Sequence, residues 1–421
     1  MAVAIVVALC VLVAACSASG SGSAEHSAHG RAAKKESAVP AESGRMAKLL
    51  AARPALPSPT CSDAIAAASP LKNVKFSMTK TTGPFGVAAA PGGRWDLVAG
   101  WSGIEVFRNT GALSLRLVGK LPPKRGLGVS LTPDGKYLLV ADGGVGADVI
   151  SVAKAEQEQP DALVGHLTGP RHGAGAIEAA VSADGKFAFV SIEYGQAIAV
   201  YNLQLALTRG FGPADFVGFI PAAEAVVGMA VSPNGRWLYF TSEAASTTST
   251  CPGKPMGAIG TLTVASISKA ELDPAKSVVA TVRAGGEPVR VITSADGSVV
   301  WVTARSSDAL LGFSAARLIS DPAKALIADV PVGEAPVGLA LVRNGTRIVV
   351  ADSNRFDTSG ATASLAVINV AAALTGRPAL LGYVPAGLFP REMALVPGGR
   401  TLLVGNFASG QLEAVDVSSL P

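Results

Sequence analysis

The stretch GVSLTPDGKYLLVAD, Gly128 to Asp142, sets a Pro-Asp-Gly turn between two apolar runs. Asp-Gly supplies the positive-φ positions that a tight hairpin needs, and β-branched and aromatic residues crowd the run that follows it. The chain repeats the phrase as EAAVSADGKFAFVSIE (178–193) and GMAVSPNGRWLYFTSE (228–243). Seven such turns end on Gly93, Gly135, Gly185, Gly235, Gly297, Gly345 and Gly399, at intervals of 42, 50, 50, 62, 48 and 54 residues. A third strand follows most of them, as in AIAVYNL, SLAVINV and QLEAVDV, and a fourth precedes the next repeat, as in SVVATVRAG and ALIADVPVG. Four strands in roughly 40–50 residues describe a propeller blade. The expected fold is all-β: a seven-bladed β-propeller of four-stranded antiparallel blades.

The two ends predict how the ring closes. The chain finishes on QLEAVDVSSLP, the third strand of the seventh blade, and NVKFSMTK (73–80) has no hairpin partner before it. Asn73–Lys80 is therefore expected as the outer strand of the last blade.

Three leaders, Gly285-Gly-Glu-Pro288, Gly333-Glu-Ala-Pro336 and Gly387-Leu-Phe-Pro390, precede inner strands. With turns such as Thr132-Pro-Asp-Gly135, Ser182-Ala-Asp-Gly185 and Ser232-Pro-Asn-Gly235, they resemble the YVTN-type β-propeller repeat, whose turn is Ser-Pro-Asp-Gly, over about 73–417. The resemblance extends to the lactonase-like seven-bladed propellers (the 6-phosphogluconolactonase-like family). It implies the fold and, as one alternative, lactone hydrolysis on the channel face. A shared fold leaves the chemistry open.

The N-terminal run MAVAIVVALCVLVAAC carries no charge and is shorter than a spanning helix requires. Val13-Ala-Ala-Cys16 resembles the lipobox of bacterial lipoproteins, which implies a lipid anchor on Cys16. An ordinary cleaved signal and an uncleaved anchor are the alternatives, and all three readings predict export to the cell envelope or periplasm. The expected organisation is a lipoprotein-type signal peptide (1–16), a flexible tether (17–61) and the propeller (62–421). Residues 17–60 hold six basic and three acidic residues, so the remainder of a chain with net charge +4 is close to neutral. Nothing there marks a nucleic-acid partner, and a monomer is expected. With 49% hydrophobic and 16% charged residues the chain can bury a core. His26 and His29 read as part of the solvated tether. Cys61 and Cys251 are two thiols in an oxidising compartment, where a disulfide or two free thiols are both open readings.

The first residues of the seven inner strands are Gly86, Gly128, Glu178, Gly228, Arg290, Gly338 and Glu392. Blades converge at the axis, so glycine is expected there, and three charges depart from it. One reading is an ionic stitch from Arg290 to Glu178 or Glu392; the other is a polar mouth holding a ligand. The same face is expected to collect Asp142, Arg171, His172, Glu193, Tyr194, Glu243, Arg305, Asp352, Arg355, Arg391 and Asn406. Ligand contacts are expected from Glu178, Arg290, Glu392, Arg391, Glu193 and Asp352. A catalytic alternative would use His172 as proton shuttle, Glu178 as base and Arg290 as anion clamp.

No C-x-x-C-H, H-E-x-x-H or EF-hand loop occurs, and no G-x-S-x-G elbow joins a strand to a helix. GGVGAD at Gly143 enters a strand and so lacks the helix N-terminus of a phosphate loop. No metal or cofactor is expected. The sequence favours a surface-tethered propeller that binds or scaffolds an envelope protein, a glycan or a small polar ligand.

Overall fold

The computed structural model describes residues 50–421, apart from 51, 58, 62–64, 112, 124, 252–256 and 356–361. The expected signal peptide with Cys16, and the tether up to residue 49, lie outside the described residues.

Seven four-stranded antiparallel sheets follow one another along the chain. Blade I spans 84–121, II 129–167, III 176–221, IV 224–286, V 288–331 and VI 336–385. Blade VII takes three strands from 390–416 and its outer strand, Phe76–Lys80, from the other end of the chain. That strand pairs antiparallel with Gln411–Asp416, Phe76 opposite Val415 and Lys80 opposite Gln411. The closure read from NVKFSMTK is the one observed.

The turns that open each repeat are built by their side chains. Ser182 Oγ accepts from the Phe187 amide and donates to Asp184, whose Oδ1 also accepts from the Lys186 amide. Thr132, Ser232 and Ser294 repeat the arrangement. All seven turn glycines have positive φ, from 65° to 77°.

The second strands read as unbroken apolar runs because both of their faces are covered. In YLLVA, Leu138 and Val140 join the core between blades I and II, whereas Leu139 and Ala141 join the core between II and III. Seven such cores lie between successive blades around the ring, the last between VII and I. Stability therefore comes from blade-to-blade contact rather than from one central nucleus.

The outer strands carry a bulge at a repeated place, marked by Gly119, Gly165, Gly218 and Gly382. Each of these glycines receives a group from another segment. A Cβ would stand 2.7 Å from Glu158 at Gly119, 2.0 Å from the Phe211 ring at Gly165 and 3.1 Å from Pro274 at Gly218. In those three cases the cap belongs to the connector of the following blade. Blade VII has no connector before its outer strand, and Leu71 of the N-terminal segment takes the place at Gly382.

That segment differs from the expected flexible tether. Leu50 is buried in the core of blades V and VI. The Leu56 amide donates to Leu326 O, and Arg53 donates to Ile327 O. Ser307 Oγ donates to Thr60 O, and Cys61 forms a disulfide with Cys251, Cα to Cα 5.6 Å. Ala66, Ser69 and Leu71 then bond to Val332 and Tyr383. Packed chain thus begins at or before Leu50, not at residue 62. The apolar Leu50 and Leu56 are the reason, together with outer strands of blades V and VI whose edges need covering.

Candidate functional site

The axial glycines are steric. A Cβ on Gly86 would stand 2.3 Å from Leu127 O, on Gly228 2.2 Å from Val289 O, and on Gly338 1.6 Å from Arg391 O. Each glycine backs onto the main chain of the next blade. The three charged residues occupy blades III, V and VII, and each has a glycine blade on either side. Gly128 shows what this alternation permits: a Cβ there would stand 2.5 Å from Glu178 Oε1, so the missing side chain makes room for the carboxylate.

A hydroxyl in the second strand supports each site in blades III to V. The amides of Glu178, Gly228 and Arg290 donate to Ser191, Thr241 and Thr303. Those hydroxyls donate onward to Val227 O, Val289 O and Val337 O of the next blade. A Ser or Thr at one place in FAFVSI, WLYFTS and VVWVTA was a legible signal of this stitch.

Arg290 lies between both carboxylates. Its Nη2 is 3.3 Å from Glu178 Oε2, and its Nε donates to Glu392 Oε1 at 2.5 Å. Burial pushes the Glu178 carboxyl up to about 8, against the opposing pull of Arg290. Burial also disfavours the Arg290 cation, but the two glutamates more than offset it and its pKa is raised. The bridge joins blades III, V and VII across the channel. Below it lies a cavity of about 310 Å³ walled by Val129, Val181, Met229, Val231, Ile292 and Met393.

A second ionic node sits above, toward blades IV and V. Arg305 makes a bidentate pair with Glu243 at 2.9 and 3.1 Å and bonds Glu287 at 2.9 Å. Glu287 comes from the leader and went unnoticed in the sequence. Glu287, Ala335 and Phe389 hold the same leader position before a proline, and their φ values of 44°, 51° and 54° are left-handed. At Glu287 this backbone carries the carboxylate that Arg305 bonds. Glu193 is half-buried in this half of the mouth, and burial, then Glu243, raises its carboxyl.

Arg391 faces the opposite half. Its guanidinium lies 3.9 Å from the Phe85 centroid and 4.9 Å from that of Phe389. Burial, followed by repulsion from Arg290, pushes it down to about 9. Its Nε is buried without a hydrogen-bond partner among the described residues. Glu392, already bonded to Arg290, acts on it from a distance, as do Glu178 and Glu193. The aromatic half of the mouth, with Phe85, Trp101, Phe389 and Phe407, is a second feature that the reading of charged residues passed over.

Several expected mouth residues are elsewhere in function. Asp352 is 1% exposed, with Ser364 donating to it at 3.2 Å, and burial raises its carboxyl well above the usual range. Asn406 donates to the buried Glu413. Asp142 accepts the Gly144 and Gly146 amides and so shapes its own loop. His172 is exposed and stacks on Phe219, centroids 4.3 Å apart. Arg171 and Tyr194 are exposed. Among the described residues, no group of three or more His, Cys, Asp or Glu could hold a metal ion.

The histidine that meets carboxylates is His166, in the outer strand of blade II. Its Nδ1 is 3.0 Å from Asp148 and its Nε2 3.5 Å from Asp142. The Asp148 bond is the first cause of its raised pKa. Its contribution to stability is therefore full below the unfolded-state value near 6.5 and lost as pH rises through the higher folded value. The melting-temperature difference between wild type and His166→Gln is expected to be larger at about pH 6 than at about pH 9. Equal differences at the two pH values would remove the clip from the account.

The fold and this polarised mouth define a seven-bladed propeller with an internally bridged channel. Residues 128–309 match the family described as lactonase, 7-bladed beta-propeller. That match runs from the inner strand of blade II into blade V, less than half of the chain, and is a likeness of that stretch. No curated protein matches the chain. Among solved structures, a chain of Kuenenia stuttgartiensis hydrazine synthase is similar, with TM-score 0.60 and 15% identity, over 83% of this chain and 99% of that one. At that identity the likeness concerns the fold alone.

Proposed function

We propose that the chain is an exported propeller, tethered to a membrane through Cys16, that binds an anionic group at the channel mouth and does not hydrolyse it. The observation that carries this reading is Arg391. Arg290 and Arg305 are each engaged by two glutamates, whereas Arg391 is held against aromatic rings with its Nε unbonded among the described residues. A half-buried guanidinium with a buried, unbonded Nε gains most from a carboxylate or phosphate. The lactonase alternative needs a base within reach of a substrate. Glu178 is engaged with Arg290, and His172 stacks in an exposed loop, so neither is poised for that work.

The test is thermal denaturation with a panel of simple carboxylates and phosphates, alongside a lactone hydrolysis assay. Wild type should be stabilised by an anion, by about 2.7 kcal/mol at a hundred times Kd, and Arg391→Met should lose the effect. Lactone turnover abolished by Glu178→Gln or His172→Asn would replace binding with catalysis. For the anchor, labelled palmitate should enter wild type and not Cys16→Ala; a soluble, unlabelled wild type would remove it.

A further inference from the structure

Arg391 stands at one end of a continuous platform. Phe407 is the hub: its centroid lies 6.2 Å from Phe85, 5.6 Å from Phe389 and 6.1 Å from Trp101. At the far end the Arg125 guanidinium lies 4.2 Å over Trp101. Four rings from blades I and VII and the leader between VI and VII thus carry Arg125 at one end and Arg391 at the other, with the Arg355 guanidinium 5.2 Å from the Phe389 centroid. Trp101 is 50% exposed and Leu388, beside Phe389, is 63% exposed, although large side chains elsewhere on the chain are mostly buried. Among the described residues neither Arg125 nor Arg391 has a carboxylate within ion-pair distance: Glu392 of blade VII pairs with Arg290, and Glu243 and Glu287 pair with Arg305. An exposed aromatic surface of this kind marks a recognition site.

We propose that this platform binds an acidic oligosaccharide, a sugar face on Trp101 and its carboxylates on Arg125 and Arg391. The proposal rests on the anion-binding reading of Arg391 and extends it to a ligand spanning both arginines. The rings meet edge to face, at 60° to 89°; the half-exposed Trp101 is the ring that the apolar face of a sugar can cover, and guanidiniums at the two ends pair with carboxylates some residues apart. A peptide would need main-chain partners, as strand addition does. The main-chain groups here are used internally: the Phe407 amide donates to Phe389 O, Ala408 to Leu388 O and Gly126 to Gly100 O. The platform offers side chains and little free backbone, which suits a glycan better than an acidic peptide.

Titration calorimetry with tetragalacturonate, galacturonate, maltotetraose and tetraglutamate tests this. Tetragalacturonate should bind wild type, and Trp101→Ala and Arg125→Gln should each weaken it about tenfold, the loss of one stack or one charged contact. Both positions are exposed, so folding should be unaffected, and an unchanged melting temperature without ligand checks that. Maltotetraose and tetraglutamate should not compete. Galacturonate binding that depends on Arg391, with no gain for the tetramer and no effect of Trp101→Ala, would overturn the platform and leave the anion site standing. Failure of both acids to bind would overturn the platform, while the anion site itself stands or falls on the panel of simple carboxylates and phosphates; tetraglutamate binding equal to tetragalacturonate would overturn the glycan and make the partner a peptide.

Discussion

Replacing Arg290 with glycine is expected to cost about 3–5 kcal/mol of stability, the usual penalty for stranding a buried charge by removing its partner. Arg290 is 6% exposed and Glu178 7%, so water does little to screen what is left. Two carboxylates from opposite sides of the ring would then face each other across the space the guanidinium filled. Burial already pushes Glu178 up to about 8, and loss of the cation that opposes this would push it further. The neutral form escapes most of the penalty. The variant should therefore lose less stability near pH 6 than near pH 9, since Glu178 holds its proton in both proteins at the lower pH and only wild type can pair the ionised form at the higher one. Urea unfolding of wild type and variant at the two pH values reads this directly. A loss below about 1 kcal/mol, independent of pH, would mean a solvated pair of little consequence.

Deleting residues 1–80 is expected to abolish the cooperative fold, whereas deleting 1–49 should leave the melting temperature where it is. The longer deletion removes the outer strand of blade VII and bares the edge of Gln411–Asp416, an invitation to aggregation. It also removes Leu71 from Gly382 and Leu50 from the core of blades V and VI. The Cys61–Cys251 bond goes with it; the sequence separation is 190, a loop whose closure contributes up to about 5 kcal/mol in the chain-entropy model. The losses run from blade IV, at Cys251, round to the closing strand of blade VII. Light scattering and differential scanning calorimetry on the two truncations decide it. Equal, cooperative melting of both would mean that the ring closes without its clasp.

Much of the architecture was legible because the repeat is local. Asp-Gly and Asn-Gly turns, the Ser or Thr two residues before the Asp or Asn and the apolar second strands all lie within fifteen residues of one another. Strand NVKFSMTK could be placed by counting, since blade VII was one strand short. The packing of Leu50 and Leu56 was hidden because a dozen residues with two leucines carry no period, and their partners lie some 270 residues away. The axial charges were visible as departures from glycine, but their pairing depends on which blades face across a ring of seven. Asp352 and Asn406 stand at the place Ser242 takes in blade IV, one residue before Glu243, so their side chains turn to the other face, under the leaders; the longer second strand of blade IV hides that offset until the pairing is known. The aromatic platform was invisible to a search for charges, because its rings come from an inner strand, a leader and two loops.

The account turns on whether the axial charges serve one another. The most direct measurement is the unfolding free energy of the triple variant Glu178→Gly, Arg290→Gly, Glu392→Gly beside that of Arg290→Gly alone. Four of the seven blades already carry glycine at this place, so the backbone accommodates it. If the three charges form an internal bridge, the triple variant leaves no charge unpaired and should recover most of the loss seen in the single variant. A triple variant less stable than Arg290→Gly, or a single variant as stable as wild type, would contradict the bridge.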